Sequence, residues 1–400
     1  MFFRRKIKAF LQNGAVFLVS LSISFVAAEA GYRIYLYKVI TDQLVKSVEA
    51  HLNPATGLWQ FDAEIGLHYK PNSSWVDIAA SKDDVRINQF GFVANDLDPE
   101  PYTVAKPQGE YRIAVLGDSF TAGLQNYIRW PDFVQGHLNR SPQWRARVGG
   151  KFTRVLNFGI AGTGFAQWAK VYQFRARQFE PDLVLVSFVT YDIPRRFLYG
   201  GIVTDLRDSD HAAISEFLKK HLLNELPWFG LHSEIIAAVG NLFTTTDRRL
   251  TAAAAYQKYT SYADRPTAIK ESVSALEQIS CMNANTIFLQ DPLIDEMQVR
   301  EDTLKRYPYD NPAQPLWTGL ESEFLAAATA HHLDIIQLLD RNPLPPDHSR
   351  MHALYNEPID THHSDYGALL YARWVSRYLL SWSASHSVEP VMARFCAEQS

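Results

Sequence analysis

Five short apolar runs, each ending where turn residues begin, constrain the fold more than any other feature of this chain. They are YRIAVLG (Tyr111–Gly117), RVLNFG (Arg154–Gly159), DLVLVSFV (Asp182–Val189), NTIFLQ (Asn285–Gln290) and LDIIQL (Leu333–Leu338). Near-continuous apolarity over five to eight residues is the signature of a strand buried on both faces, as in a parallel sheet. Helical patterns fall between the runs, at Gly164–Gln178 and Lys270–Met282, and a strong closing helix follows at Ala368–Trp382. Strands alternating with helices predict an α/β domain, a central parallel sheet with helices on both faces. The alternation is interrupted over about residues 205–268, where helix formers such as LTAAAAYQKY dominate. We read that stretch as a helical insertion, either a substrate-selecting lid or filler.

Residues 31–108 form a mixed lead-in with turn signals at Lys70-Pro71-Asn72-Ser73 and Asn88-Gln89-Phe90-Gly91, and room for two or three strands. Ahead of it, Arg4, Arg5, Lys6 and Lys8 precede an uncharged run from Gly14 to Ala28. A basic flank before an apolar core marks an export signal or anchor. Ala28-Glu29-Ala30 offers a cleavage site with an acid inside it, so an uncleaved transmembrane anchor over residues 1–30 is the preferred reading and a cleaved signal the alternative. The positive flank stays on the cytoplasmic side and the rest is translocated. In a bacterium this is a single-pass inner-membrane protein whose main domain lies in the periplasm. That domain is expected over residues 109–385, followed by a tail at 386–400.

The bulk charge, −4 with pI about 6.4, gives no reason to expect nucleic acid as a partner. Two cysteines, Cys281 and Cys396, are too few for a disulfide framework or a metal site. They are either one bridge in an oxidising compartment or two free thiols. His331-His332 lacks a third ligand at a suitable spacing, so no metal is expected. Arg195-Arg196 is either a solvated pair or a contact for an anionic substrate.

In parallel sheets, sites gather at the carboxyl ends of the strands. The first run ends in Gly117-Asp118-Ser119-Phe120-Thr121-Ala122-Gly123. A serine between a strand and a helix presents its hydroxyl at the sheet edge, and its own N–H lies where negative charge is favoured. Thr121 stands two after the serine, so this is not a G-x-S-x-G elbow, and no G-K-[ST] follows, so it is not a phosphate loop. Just before the closing helix lies Asp360-Thr361-His362-His363-Ser364-Asp365-Tyr366-Gly367. An aspartate two or three residues before a histidine can orient the imidazole that takes a serine's proton.

These blocks resemble the SGNH hydrolase superfamily, the GDSL-type esterases and lipases. The resemblance covers about residues 85–385 and implies a three-layer α/β/α flavodoxin-like fold. It implies Ser119 as nucleophile, His362 as base with His363 as the alternative, and Asp360 as the group orienting it. In Asn157-Phe158-Gly159-Ile160-Ala161-Gly162, Gly162 matches the residue whose N–H joins that of Ser119 in the oxyanion hole. The family's third block, Gly-x-Asn-Asp, reads Val189-Thr190-Tyr191-Asp192 here, so Tyr191 stands where the oxyanion asparagine is expected. Its phenol donates, another donor serves, or turnover is slow; a lost oxyanion donor costs roughly 100- to 1000-fold in rate. The implied activity is hydrolysis of acyl or acetyl esters of an envelope carbohydrate or lipid, without cofactor or metal. Transfer of the acyl group to a polysaccharide, or a non-catalytic glycan-binding or partner-binding module, are the alternatives.

Overall fold

The computed structural model describes residues 14, 16, 17, 19–31, 59–62, 64–75, 85–98, 103–123, 126, 128–195, 262, 264–292, 319–342, 353–355, 362–382 and 396. All five apolar runs form strands of one parallel sheet: β5 (Glu110–Gly117), β6 (Phe152–Gly159), β7 (Leu183–Phe188), β8 (Thr286–Gln290) and β9 (Ile335–Gln337). Four short strands precede them: β1 (Trp59–Asp62), β2 (Gly66–Tyr69), β3 (Ser74–Trp75) and β4 (Val85–Arg86). The sheet order is β6-β5-β7-β8-β9, every neighbour parallel. In sheet-strand numbering this is 2-1-3-4-5, the doubly wound flavodoxin-like order. It places a topological switch point beside the carboxyl end of β5, where the chain reverses its direction of winding.

Both faces of the sheet are covered. Ile113, Val115, Leu183, Leu185, Ile287 and Leu289 share one buried cluster with Trp130, Val134, Leu138, Tyr371, Val375 and Leu379. The last six lie on α2 (Trp130–Arg140) and α8 (Asp365–Ser381), which pack together against the sheet. By the two-residue period of a strand, Ala114, Leu116, Val184, Val186 and Phe288 point the other way. On that side lie α4 (Phe165–Phe174), α5 (Arg265–Met282) and α6 (Leu320–Ala330), in mutual contact. Phe165, Phe188 and Phe324 stack edge-on or tilted there, with ring centroids 5.1–5.6 Å apart. Each such fully buried side chain contributes roughly 1.5–3 kcal/mol relative to exposure, so the sheet is a rigid platform for its carboxyl edge.

The lead-in is more ordered than its turn-rich sequence indicates. β1 and β2 form an antiparallel hairpin, and β3 pairs with β4. A buried ion cluster fastens the following segment to the sheet. Glu110 accepts from Arg112 at 2.7 Å and from Arg154 at 2.6 Å, and Arg154 also reaches Asp98. Arg112 donates further to the carbonyls of Thr103, Val104, Ala105 and Phe179.

The chain divides into two compact units, residues 53–209 with 260–400, and residues 1–52 with 210–259. In the latter, residues 14, 16, 17 and 19–31 are helical and expose Val16, Phe17, Val19, Leu21, Ile23, Phe25 and Val26. Among the described residues, no helix is long and apolar enough to cross a membrane; the expected anchor lies only partly within them. Most of the expected insertion lies outside the described residues, and α5 begins at Arg265, capped by the Asp264 carboxylate on the Thr267 N–H at 2.8 Å. Cys281, in the last turn of α5, is disulfide-bonded to Cys396, which resolves the alternative between one bridge and two thiols.

Candidate active site

The site is built at the carboxyl edge of β5. Gly117 ends the strand, Asp118 follows, and α1 (Ser119–Ala122) is a single turn closed by Gly123 in the left-handed region. The helix expected after the serine is a single turn. Asp118 caps it, its carboxylate accepting from the Phe120 N–H at 2.9 Å. β6 presses on this turn from the side. Gly159 must lack a side chain, since a Cβ there would lie 2.5 Å from the Ala122 nitrogen. Asn157 staples the two segments: its amide donates to the Thr121 carbonyl at 2.9 Å and its oxygen accepts from the Gly159 N–H at 2.9 Å.

Across this turn comes the segment before α8. The His362 Nε2 lies 2.7 Å from the Ser119 Oγ, although 243 residues separate them. The imidazole rests on the Phe120 ring at a centroid distance of 4.6 Å. Ser119 is buried, so its hydroxyl faces the histidine rather than open solvent.

The neighbouring His363 turns away from Ser119. Its Nε2 lies 3.1 Å from the Asp291 carboxylate, just beyond β8, and both residues are buried. Burial raises the Asp291 carboxyl above its ordinary range, and His363 opposes that shift. The His363 carbonyl accepts from the Asn126 amide at 2.9 Å. Ser364 then caps α8 by accepting from the Gly367 N–H at 3.2 Å. Adjacent histidines thus have separate tasks, one meeting the serine and one tying the segment into the sheet edge. Asp360, expected to orient the base, lies outside the described residues.

The second and third blocks flank the serine. Gly162 sits on the turn after β6 at φ +73°, a left-handed conformation that a side chain resists. Nothing lies within 4 Å of where its Cβ would be, so torsion alone and not crowding calls for glycine there. Tyr191 lies on a 3-10 turn (Thr190–Asp192) after β7, half-buried with its ring against the apolar core. Its neighbour Asp192 is fully buried and accepts from the Val189 N–H at 2.9 Å. Burial, with Asp118 nearby, pushes the Asp192 carboxyl well above its ordinary range, and Arg195 opposes this.

Arg195 is partly buried and paired with carboxylates of the protein itself. Its guanidinium joins Asp192 and Asp118, the latter at 2.9 Å, and donates to the Thr163 carbonyl at 3.2 Å. One cation therefore links all three loops around Ser119. Arg196 lies outside the described residues. Sequence reasoning missed Asp291 and Asn126, whose partners are remote in the chain, and it weighed Arg195 only as a solvated residue or a substrate contact. His331 and Glu277 pair at 2.8 Å, and no metal cluster occurs among the described residues.

Residues 113–289 match the family model described as GDSL-like lipase/acylhydrolase. Among solved structures, the chain is similar to a lipase/acylhydrolase from Enterococcus faecalis, at 13% identity over 68% of this chain and 96% of that one, with a TM-score of 0.37. It is also similar to an acetylxylan esterase from Geobacillus stearothermophilus, at 12% identity over 68% of this chain and 95% of that one, with a TM-score of 0.36. No curated protein matches the chain. The matched residues span strands β5 to β8 and include Ser119, so residues 113–289 form a GDSL-like lipase/acylhydrolase domain, which marks the chain as an ester-hydrolysing enzyme.

Proposed function

We propose that Ser119 is the nucleophile and His362 the general base, in a two-step hydrolysis of carboxylic esters. The observation that carries this reading is the 2.7 Å contact between the Ser119 Oγ and the His362 Nε2. In the first step the Oγ bonds to the ester carbon as its proton passes to Nε2. The carbonyl electron pair moves onto oxygen, held by the N–H groups of Ser119 and Gly162, with Tyr191 as the candidate third donor. Collapse expels the alcohol, which takes the proton from His362. Water then repeats the sequence on the acyl-serine, releasing the acid and restoring the serine. Asp360 orients His362 in this scheme.

The substrate we propose is an acyl or acetyl ester of an envelope carbohydrate or lipid, met on the outer side of a bacterial inner membrane. Two observations support that location. Val16, Phe17, Val19, Leu21, Ile23, Phe25 and Val26 are exposed apolar side chains on helical residues that follow the Arg4–Lys8 basic stretch of the sequence, as a membrane anchor would present. The Cys281–Cys396 bridge fits an oxidising compartment.

Labelling with a fluorophosphonate probe and turnover of p-nitrophenyl acetate test the chemistry. Wild type is expected to label and turn over, and Ser119→Ala to do neither. A wild type that neither labels nor hydrolyses short acyl esters would sink the reading. Product analysis with and without a polysaccharide acceptor bearing free hydroxyls separates hydrolysis from acyl transfer.

A further inference from the structure

We infer that Tyr69, in the lead-in and outside residues 113–289, is a positioning residue for the oxyanion turn, fixing it through the hydrogen bond that its phenol oxygen accepts from the Ala161 N–H. This rests on the proposed role of Gly162. Tyr69 closes β2 and is fully buried. Its oxygen lies 2.9 Å from the Ala161 nitrogen, one residue before Gly162.

The turn is held at other points by its own neighbours. The Ile160 N–H donates to the Gly117 carbonyl at 2.9 Å, and the Thr163 hydroxyl donates to the Ile160 carbonyl at 2.6 Å. The Trp168 indole N–H donates to the Thr163 hydroxyl at 2.7 Å. These bonds fix the residues before and after the Ala161–Gly162 pair. At Gly162 the backbone is permissive and the surrounding space open. Tyr69 supplies the anchor on the Ala161 peptide itself, and so sets the direction in which the next N–H points. Oxyanion stabilisation depends on donors that are aimed before the reaction begins.

The hairpin bearing Tyr69 is seated well enough to do this. Gln167 on α4 donates to the Ile65 carbonyl at 2.8 Å, and Arg175, next to α4, pairs with Asp62. Gly91 packs so closely that a Cβ there would lie 2.7 Å from the Tyr69 carbonyl oxygen. Burial, with Asp118 adding to it, raises the phenol's pKa well above its ordinary value, so Tyr69 stays a neutral acceptor.

Tyr69→Phe removes one oxygen and leaves the ring. With p-nitrophenyl acetate, at a temperature where circular dichroism shows the variant folded, kcat is expected to fall about 10- to 100-fold. KM is expected to stay within about threefold, because the missing contact acts on the transition-state donor rather than on ground-state binding. A kcat within twofold of wild type would overturn the proposal, as would a lowered Tm with both constants unchanged. If the variant does not fold, amide hydrogen exchange on the wild type decides. The Ala161 amide is expected to be protected like the β6 amides, and exchange at the rate of an open loop would overturn the contact. This exchange readout does not depend on turnover, so failure of the esterase reading and failure of the Tyr69 proposal are separable.

Discussion

Neighbouring residues at this site differ in role because they face different partners. His362 meets Ser119, while His363 meets Asp291 and receives Asn126. Replacing His362 with Gln is expected to lower kcat about 100- to 10,000-fold with the Tm little changed. Replacing His363 with Gln is expected to lower stability by about 1–3 kcal/mol in urea denaturation, because the buried Asp291 loses its partner. Equal losses of kcat in the two variants, with equal stability, would contradict the division of labour. Arg195 provides a second test. In Arg195→Met, Asp118 and Asp192 lie side by side without their cation, and removing one member of a buried network costs about 3–5 kcal/mol. The loss is expected to be larger at pH 8 than at pH 5, since Arg195 opposes the rise in the Asp192 pKa and protonation at low pH relieves the repulsion. Ser119 was legible in the sequence because strand, turn and helix signals coincide on one short stretch. Arg195 was not, because its Asp118 partner lies 77 residues away and an adjacent arginine makes it look like a solvated pair.

The five strands of the sheet were legible for a physical reason: a strand buried on both faces leaves few positions for polar residues, so its sequence is nearly continuously apolar. The hairpins before them were not, since β1 to β4 are two to four residues long and carry too few positions to show a period. α1 was legible as a start but not in its length, because Gly123 at φ +66° ends it after one turn. Two glycines, one ending β6 and one on the turn after it, separate two kinds of constraint. Gly159→Ala puts a methyl against the Ala122 backbone, so β6 and α1 must move apart. Gly162→Ala meets open space but a disfavoured torsion, worth about 1–2 kcal/mol. The expected outcome is that Gly159→Ala lowers both Tm and kcat, whereas Gly162→Ala lowers kcat more than Tm. Melting curves run beside initial rates check this, and the reverse pattern would refute it.

The whole molecule carries a buried acid whose titration falls near neutrality. Asp132 on α2 is buried beside Arg129, and burial pushes its carboxyl up to about 7. The folded state therefore holds a proton that the unfolded chain releases above the ordinary aspartate value of 3.8. Its contribution to stability is complete below about 4 and is lost as the pH rises through about 7. Asp132→Asn is expected to gain Tm relative to wild type as the pH goes from 5 to 8; a difference that stays flat across that range would count against this. Another property of the molecule follows from the 243 residues between Ser119 and His362. Chains are made from the amino end, so the serine exists long before the histidine that completes it. On the proposed roles, a polypeptide halted between residues 119 and 362 has the serine without its base. Premature stops in that stretch are therefore expected to abolish ester turnover rather than halve it, which makes turnover a reporter of synthesis through to the closing helix.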